Sequence, residues 1–210
     1  MSGLNFQRWA QLWPAATPAA ALADGFQQLA ARYAEPHRHY HNQSHIADCL
    51  AGFDRVKGQV SEPPAVELAI WFHDAVYDPR AADNEERSAA LAQHWLPALH
   101  ASRGLADAVG QLVLATKQHD GSLHPDAPWL VDVDLSILGQ PPERFGEYER
   151  QIREEYAWVD ATVFAVKRAE ILQRFLARPR IYQTDFFQQA LETQARINLH
   201  ESVRRLRAGG

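Results

Sequence analysis

Apolar residues recur at helical spacing along nearly the whole of this chain, and that pattern decides most of what it can fold into. After Thr17-Pro18, expected to act as a cap followed by proline at the first helical position, Leu22, Phe26, Leu29, Ala30 and Tyr33 follow one face. Ser61 ahead of Pro63-Pro64 marks a second start, with Val66, Ile70, His73 and Tyr77 along one stripe. Asp83 with Glu86 three residues on has the form of a capping box, leading into Ala89, Leu91, Ala92, Trp95 and Leu96. Further helices are expected from Gly104 to Thr116, from Asp126-Pro128 to Gly139, from Asp160 up to Pro179, and from Thr184 through Val203. There is no Asn-Gly hairpin signal and no sustained alternation of the kind strands need. The expectation is an all-α, single-domain bundle of about eight to ten helices over residues 1–210.

Composition narrows the setting. With 46% hydrophobic and 22% charged residues the chain is neither disordered nor fibrous. A length of 210 residues buries a sizeable core without having to divide. The Pro14–Pro18 and Gly139–Pro142 stretches are the length of interhelix loops. The net charge of -5 does not favour nucleic acid as a partner. The single Cys49 rules out an intramolecular disulfide and suits a reducing compartment. The opening MSGLNFQRWAQLW lacks the basic and then apolar segments of a secretory leader, and the richest apolar stretch, Pro63–Phe72, is short and carries Glu67. A cytoplasmic protein with no membrane partner is therefore expected. The six tryptophans read as core residues rather than a base-stacking platform.

Three segments hold residues that folding alone would not choose. Ten histidines are present, and His37, His39, His41 and His45 fall within nine positions. His41 and His45 share a face if the segment is helical, and imidazole is a common ligand of divalent metals; the alternative is a solvated, histidine-rich loop. His73 falls on an apolar stripe with Asp74 beside it. A lone inward histidine is usually a hydrogen-bonded core residue, but an adjoining buried carboxylate calls for a cation or a donor network. In Val131–Leu138, Asp134 has Leu130, Val131, Ile137 and Leu138 three and four positions away, so it faces inward if helical. Asp132 has milder neighbours and reads as a cap or a supporting hydrogen-bond acceptor. Two imidazoles and two carboxylates suit Mn, Fe, Zn, Ni or, less comfortably, Mg as a divalent ion.

The order His45, His73-Asp74, Asp134 resembles the HD superfamily of metal-dependent phosphohydrolases. The strings RHYHNQSHIADCL, WFHDAVYD, NEERSA, DVDLSILG and ETQARINLHES resemble a small bacterial subfamily of it, over roughly residues 38–202. The resemblance implies an all-α fold, with His45, His73, Asp74 and Asp134 as metal ligands. Tyr40-His41-Asn42-x-x-His45 also resembles the start of the cyclic-nucleotide phosphodiesterase site, which implies His41 as general acid. The long catalytic domain, purine-gripping glutamine and aromatic clamp of that family have no counterpart here, so its substrate does not carry over.

The expected activity is hydrolysis of a phosphate mono- or diester, of a nucleotide or related small metabolite, by hydroxide formed at the metal. Lys117 and Arg38, with Arg87 behind them, are the candidates for steadying phosphoryl oxygens. His119 is either a second-metal or substrate residue or a helix C-terminal cap. Asp48 and Glu85 are candidates for supporting the ligands or a site water, and Cys49 is given no part. Two other readings stand beside this one: a non-catalytic metal-binding or signalling module, and a di-iron oxygenase on the same fold.

Overall fold

The computed structural model describes residues 4–208. Among them are ten α-helices and no strand, as the periodicity requires. No described helix is long and apolar enough to cross a membrane. The chain divides into two compact units, Met1–Val131 and Asp132–Gly210.

The first unit holds α1 (Phe6–Ala10), α2 (Ala19–Arg32), α3 (Gln43–Asp54), α4 (Pro63–Phe72), α5 (Asn84–Ala98) and α6 (Arg103–Gln118), and most of α7 (Ala127–Asp134). Its centre is α4, which α3, α5 and α6 flank. Every residue from Ala65 to Phe72 is buried, so α4 has no solvent stripe. A helix apolar on all sides belongs in a core. Its one buried charge, Glu67, is met by Arg8 Nε at 2.8 Å and Lys57 Nζ at 2.9 Å. The carboxylate of Asp126 supplies a stop at the α4 N-terminus, accepting from Ser61 N at 3.0 Å and Glu62 N at 2.7 Å.

Several local expectations change. Pro18 occupies the N-cap of α2, not its first helical turn, while the Thr17 hydroxyl donates to Leu99 O. The stripe drawn from Val66 to Tyr77 ends early, because α4 stops at Phe72 and His73 is its C-cap. Asp83 and Glu86 form no capping box: Asp83 makes no side-chain cap and Glu86 instead meets Lys117.

The second unit begins in the last turn of α7 and continues through a 3-10 turn (Leu135–Gly139), α8 (Pro142–Glu155), α9 (Ala161–Leu176) and α10 (Asp185–Ala208). The helix expected after Asp160 is present as α9, and Asp160 caps it by accepting from Thr162 N and Val163 N. α10 lies close against the 3-10 turn. A Cβ at Gly139 would stand 2.6 Å from Leu191 Cβ, and Asn198 Nδ2 donates to the Leu138 and Gln140 carbonyls at 2.8 Å each. Arg204, Arg205 and Arg207 lie in the last turns of α10.

Candidate metal centre

α3 and the end of α4 position the histidines. Asn42 caps α3, its side chain accepting from Ser44 N and His45 N. That cap fixes the first turn of α3, in which His45 points into the core at 2% exposure. His73 closes α4, with its backbone N–H on Ala69 O, and is equally buried. Its Nδ1 lies 2.9 Å from Ile70 O; a carbonyl only accepts, so the proton sits on Nδ1 and the Nε2 lone pair faces outward from α4.

Other ligand atoms stand beside it. His45 Nε2 and His73 Nε2 are 3.1 Å apart, and Asp74 Oδ2 is 3.4 Å from the first and 3.2 Å from the second. Ligands held about 2.0–2.1 Å from one tetrahedral ion stand about 3.3 Å from each other, so this triangle has the edge length of a metal site. Cys49 joins it from the next turn of α3, with Sγ 3.7 Å from His45 Nδ1 and 3.8 Å from Nε2. The ligand atoms of His45, Cys49 and His73 all lie within 4.8 Å of one another, and the three residues are buried. A buried cluster of two histidines and a cysteine within metal-binding distance, with the half-buried Asp74 carboxylate beside the histidines, is thus built from one corner of the first unit. Burial works against the charge on Asp74, but the imidazoles of His73, His41 and His45 hold its carboxyl well below the usual carboxylate range.

Cys49 is the residue that sequence reasoning passed over. Its spacing of four from His45 on a helix was the available signal. His41 is not on the His45 face of a helix, since α3 begins only at Gln43. It sits in the preceding turn, its ring stacked on Tyr77 at 4.3 Å and 5.9 Å from the His45 ring.

Arg38 has a fully buried side chain that clamps this corner. Nε donates to Glu35, Nη1 to the His41 and Asp74 carbonyls at 3.1 and 2.6 Å, and Nη2 to Ala75 O at 3.3 Å. The guanidinium therefore ties the segment before α3 to the backbone of the His-Asp pair. Beyond that pair, buried Ser88 accepts from Val76 N at 3.0 Å. Asn84 closes the next turn by bonding both Asp78 N and Asp78 O.

The remaining candidates are placed elsewhere. Lys117, near the end of α6, donates to Ala82 O at 2.9 Å and to Glu86. His119 is the C-cap of α6 in the left-handed region, φ 50°, which is the capping alternative. Asp48 is exposed on α3, Glu85 is half-buried in the first turn of α5, and exposed Arg87 stands 4.0 Å from Asp83. Of the tryptophans, Trp9, Trp13 and Trp71 are core residues, Trp95 and Trp129 are half-buried, and Trp158 is 50% exposed.

In the second unit, Asp132 is fully buried and accepts from Gln183 N at 2.8 Å and from Thr184 N and Oγ1 at 2.7 Å each. It holds the two residues that lead into α10. Burial pushes its carboxyl up to about 6, against these donors, which favour the charge. Asp134 is the last residue of α7 and half-buried. No family model, curated protein or solved structure matches this chain.

Proposed function

We propose that the chain is a metal-dependent phosphohydrolase of the HD type, acting on a mono- or diester of a nucleotide or similar small metabolite. The observation that carries this reading is the convergence of His45 Nε2, His73 Nε2 and Asp74 Oδ2 at 3.1–3.4 Å in a buried corner. Two imidazole nitrogens and a carboxylate oxygen brought this close together in a buried corner form a set of ligand atoms that a divalent cation would satisfy. A bound ion of this class supplies a nucleophile from water at neutral pH and withdraws charge from a phosphoryl oxygen.

The chain's own residues do the rest. His73 Nδ1–H on Ile70 O keeps Nε2 available as a ligand atom. His41, oriented by the Tyr77 ring, is assigned as the acid that protonates the leaving oxygen. Arg38 acts as a positioning residue, since its N–H groups hold the carbonyls of His41, Asp74 and Ala75. Lys117 would serve a phosphoryl oxygen only by exchanging Glu86 for it. Nitrogen, thiol and carboxylate donors together favour Zn or Fe over Mg.

Phosphate release from a panel of nucleotides and phosphoesters by the metal-loaded protein tests the proposal. Turnover that falls at least about 100-fold in Asp74→Ala supports it; a wild type that hydrolyses nothing, or an active Asp74→Ala, overturns it. Cys49 favours a second reading. With its thiol beside two imidazoles, the site can close around protein ligands alone, as in metal centres without turnover. Metal retained without phosphate release across the panel selects that reading.

A further inference from the structure

The second unit contains a cavity of about 460 Å³ that the proposed chemistry does not use. Its size falls within the range of small-molecule sites, roughly 300–1,000 Å³. One wall is a face of α8, where Glu149, Arg150 and Arg153 recur at helical spacing. Phe164 from the first turns of α9, and Ser202 and Arg205 from the end of α10, complete it.

The charges in this cavity do not cancel. Glu149 is neutralised from behind: Arg168 Nε donates to Oε1 at 3.1 Å, and the Ser202 hydroxyl donates to Oε2 at 2.6 Å. Arg153 gives its Nη groups to Tyr156 O at 2.6 Å and Val159 O at 3.1 Å, with its guanidinium 4.9 Å from the centre of the Phe164 ring. Arg150 and Arg205 have no ion pair or hydrogen bond among the described residues. Two unmatched guanidiniums thus stand beside a half-buried aromatic ring. Guanidinium forks match phosphate oxygens, and an aromatic ring offers a surface for a planar group. The lining holds no histidine or cysteine, and its one hydroxyl is held by Glu149, so the cavity is suited to binding rather than to chemistry.

We propose that this cavity is a binding site for a small aromatic phosphate of mononucleotide size, its phosphate on Arg150 and Arg205 and its ring against Phe164. The site does not depend on the metal cluster, and the proposal stands or falls separately from the hydrolase reading.

Calorimetric titration of the full, chelator-treated chain with AMP tests it, with adenosine and inorganic phosphate titrated separately. The expected result is saturable binding of AMP at one site per chain, at least about tenfold tighter than either fragment. Arg150→Gln combined with Arg205→Gln should weaken it by at least about tenfold. Gly146→Leu should do the same by filling the cavity. Gly146 lies on the same face of α8, and a Cβ there meets nothing closer than Arg150 Nη1 at 3.9 Å. Leucine is also the better helix former, so an unchanged or raised melting temperature shows that this variant folds. Asp74→Asn should leave AMP binding unchanged. Absence of saturable binding, equal binding in the arginine and Gly146→Leu variants, or loss of binding in Asp74→Asn overturns the proposal.

Discussion

Two aspartates, half-buried Asp74 in the first unit and buried Asp132 in the second, show opposite solutions to the same problem. Asp132 in the second unit is wholly enclosed, and the protein itself answers its charge with Gln183 N, Thr184 N and the Thr184 hydroxyl. Asp74 in the first unit faces two imidazole nitrogens with a thiol close by. A buried polar group met by donors is a structural device; a cluster of ligand atoms converging on one point is a site that takes a cation. The contrast also holds between the two ends of α4. Asp126 at its start satisfies two backbone N–H groups, while its end delivers His73 and Asp74 to the cluster.

Substitutions should separate the two kinds of carboxylate. Asp132→Ala strips three donors of their acceptor inside the core and should lower unfolding free energy by about 3 kcal/mol, read by urea denaturation. Asp126→Ala, which orphans two backbone donors at the head of α4, should cost about 2 kcal/mol in the same experiment. An unchanged denaturation midpoint in either variant would break the distinction. Arg38→Lys should cost only about 1 kcal/mol, because a lysine reaches one carbonyl where the guanidinium reaches several. Its larger effect should fall on the cluster, with metal affinity weakened about tenfold in a competition titration against a chromophoric chelator. A loss of stability with unaltered metal affinity would show that Arg38 holds the fold and not the site.

The helical class was legible because apolar spacing is strong wherever a helix is amphipathic, as in α2, α6 and α9. It was poorly legible in α8. There Phe145, Tyr148 and Ile152 carry the buried face between many charged residues, so the apolar spacing alone does not mark the helix. The sequence of α3 leaves two outcomes open for a histidine-rich segment, because the role of Asn42 as a cap depends on where the backbone turns. The His-Asp pair stood out through its chemistry, yet its position at a helix end did not. The apolar run of α4 gives no sign of stopping at Phe72. Cys49 and the carbonyl grip of Arg38 were invisible for a common reason. Each takes its meaning from backbone or side chains brought together by the fold, not from the residue's own type. Asp132 was resolved in the same way, since its donors lie 51 and 52 positions along the chain.

The central claim is that His45, His73 and Asp74 form one metal site. Elemental analysis of the purified chain, grown and handled in metal-replete medium, tests it most directly. The account predicts one divalent ion per chain in the wild type, lost in His73→Ala and retained in Asp132→Asn. A wild type without bound metal, or a His73→Ala protein that keeps it, would contradict the account.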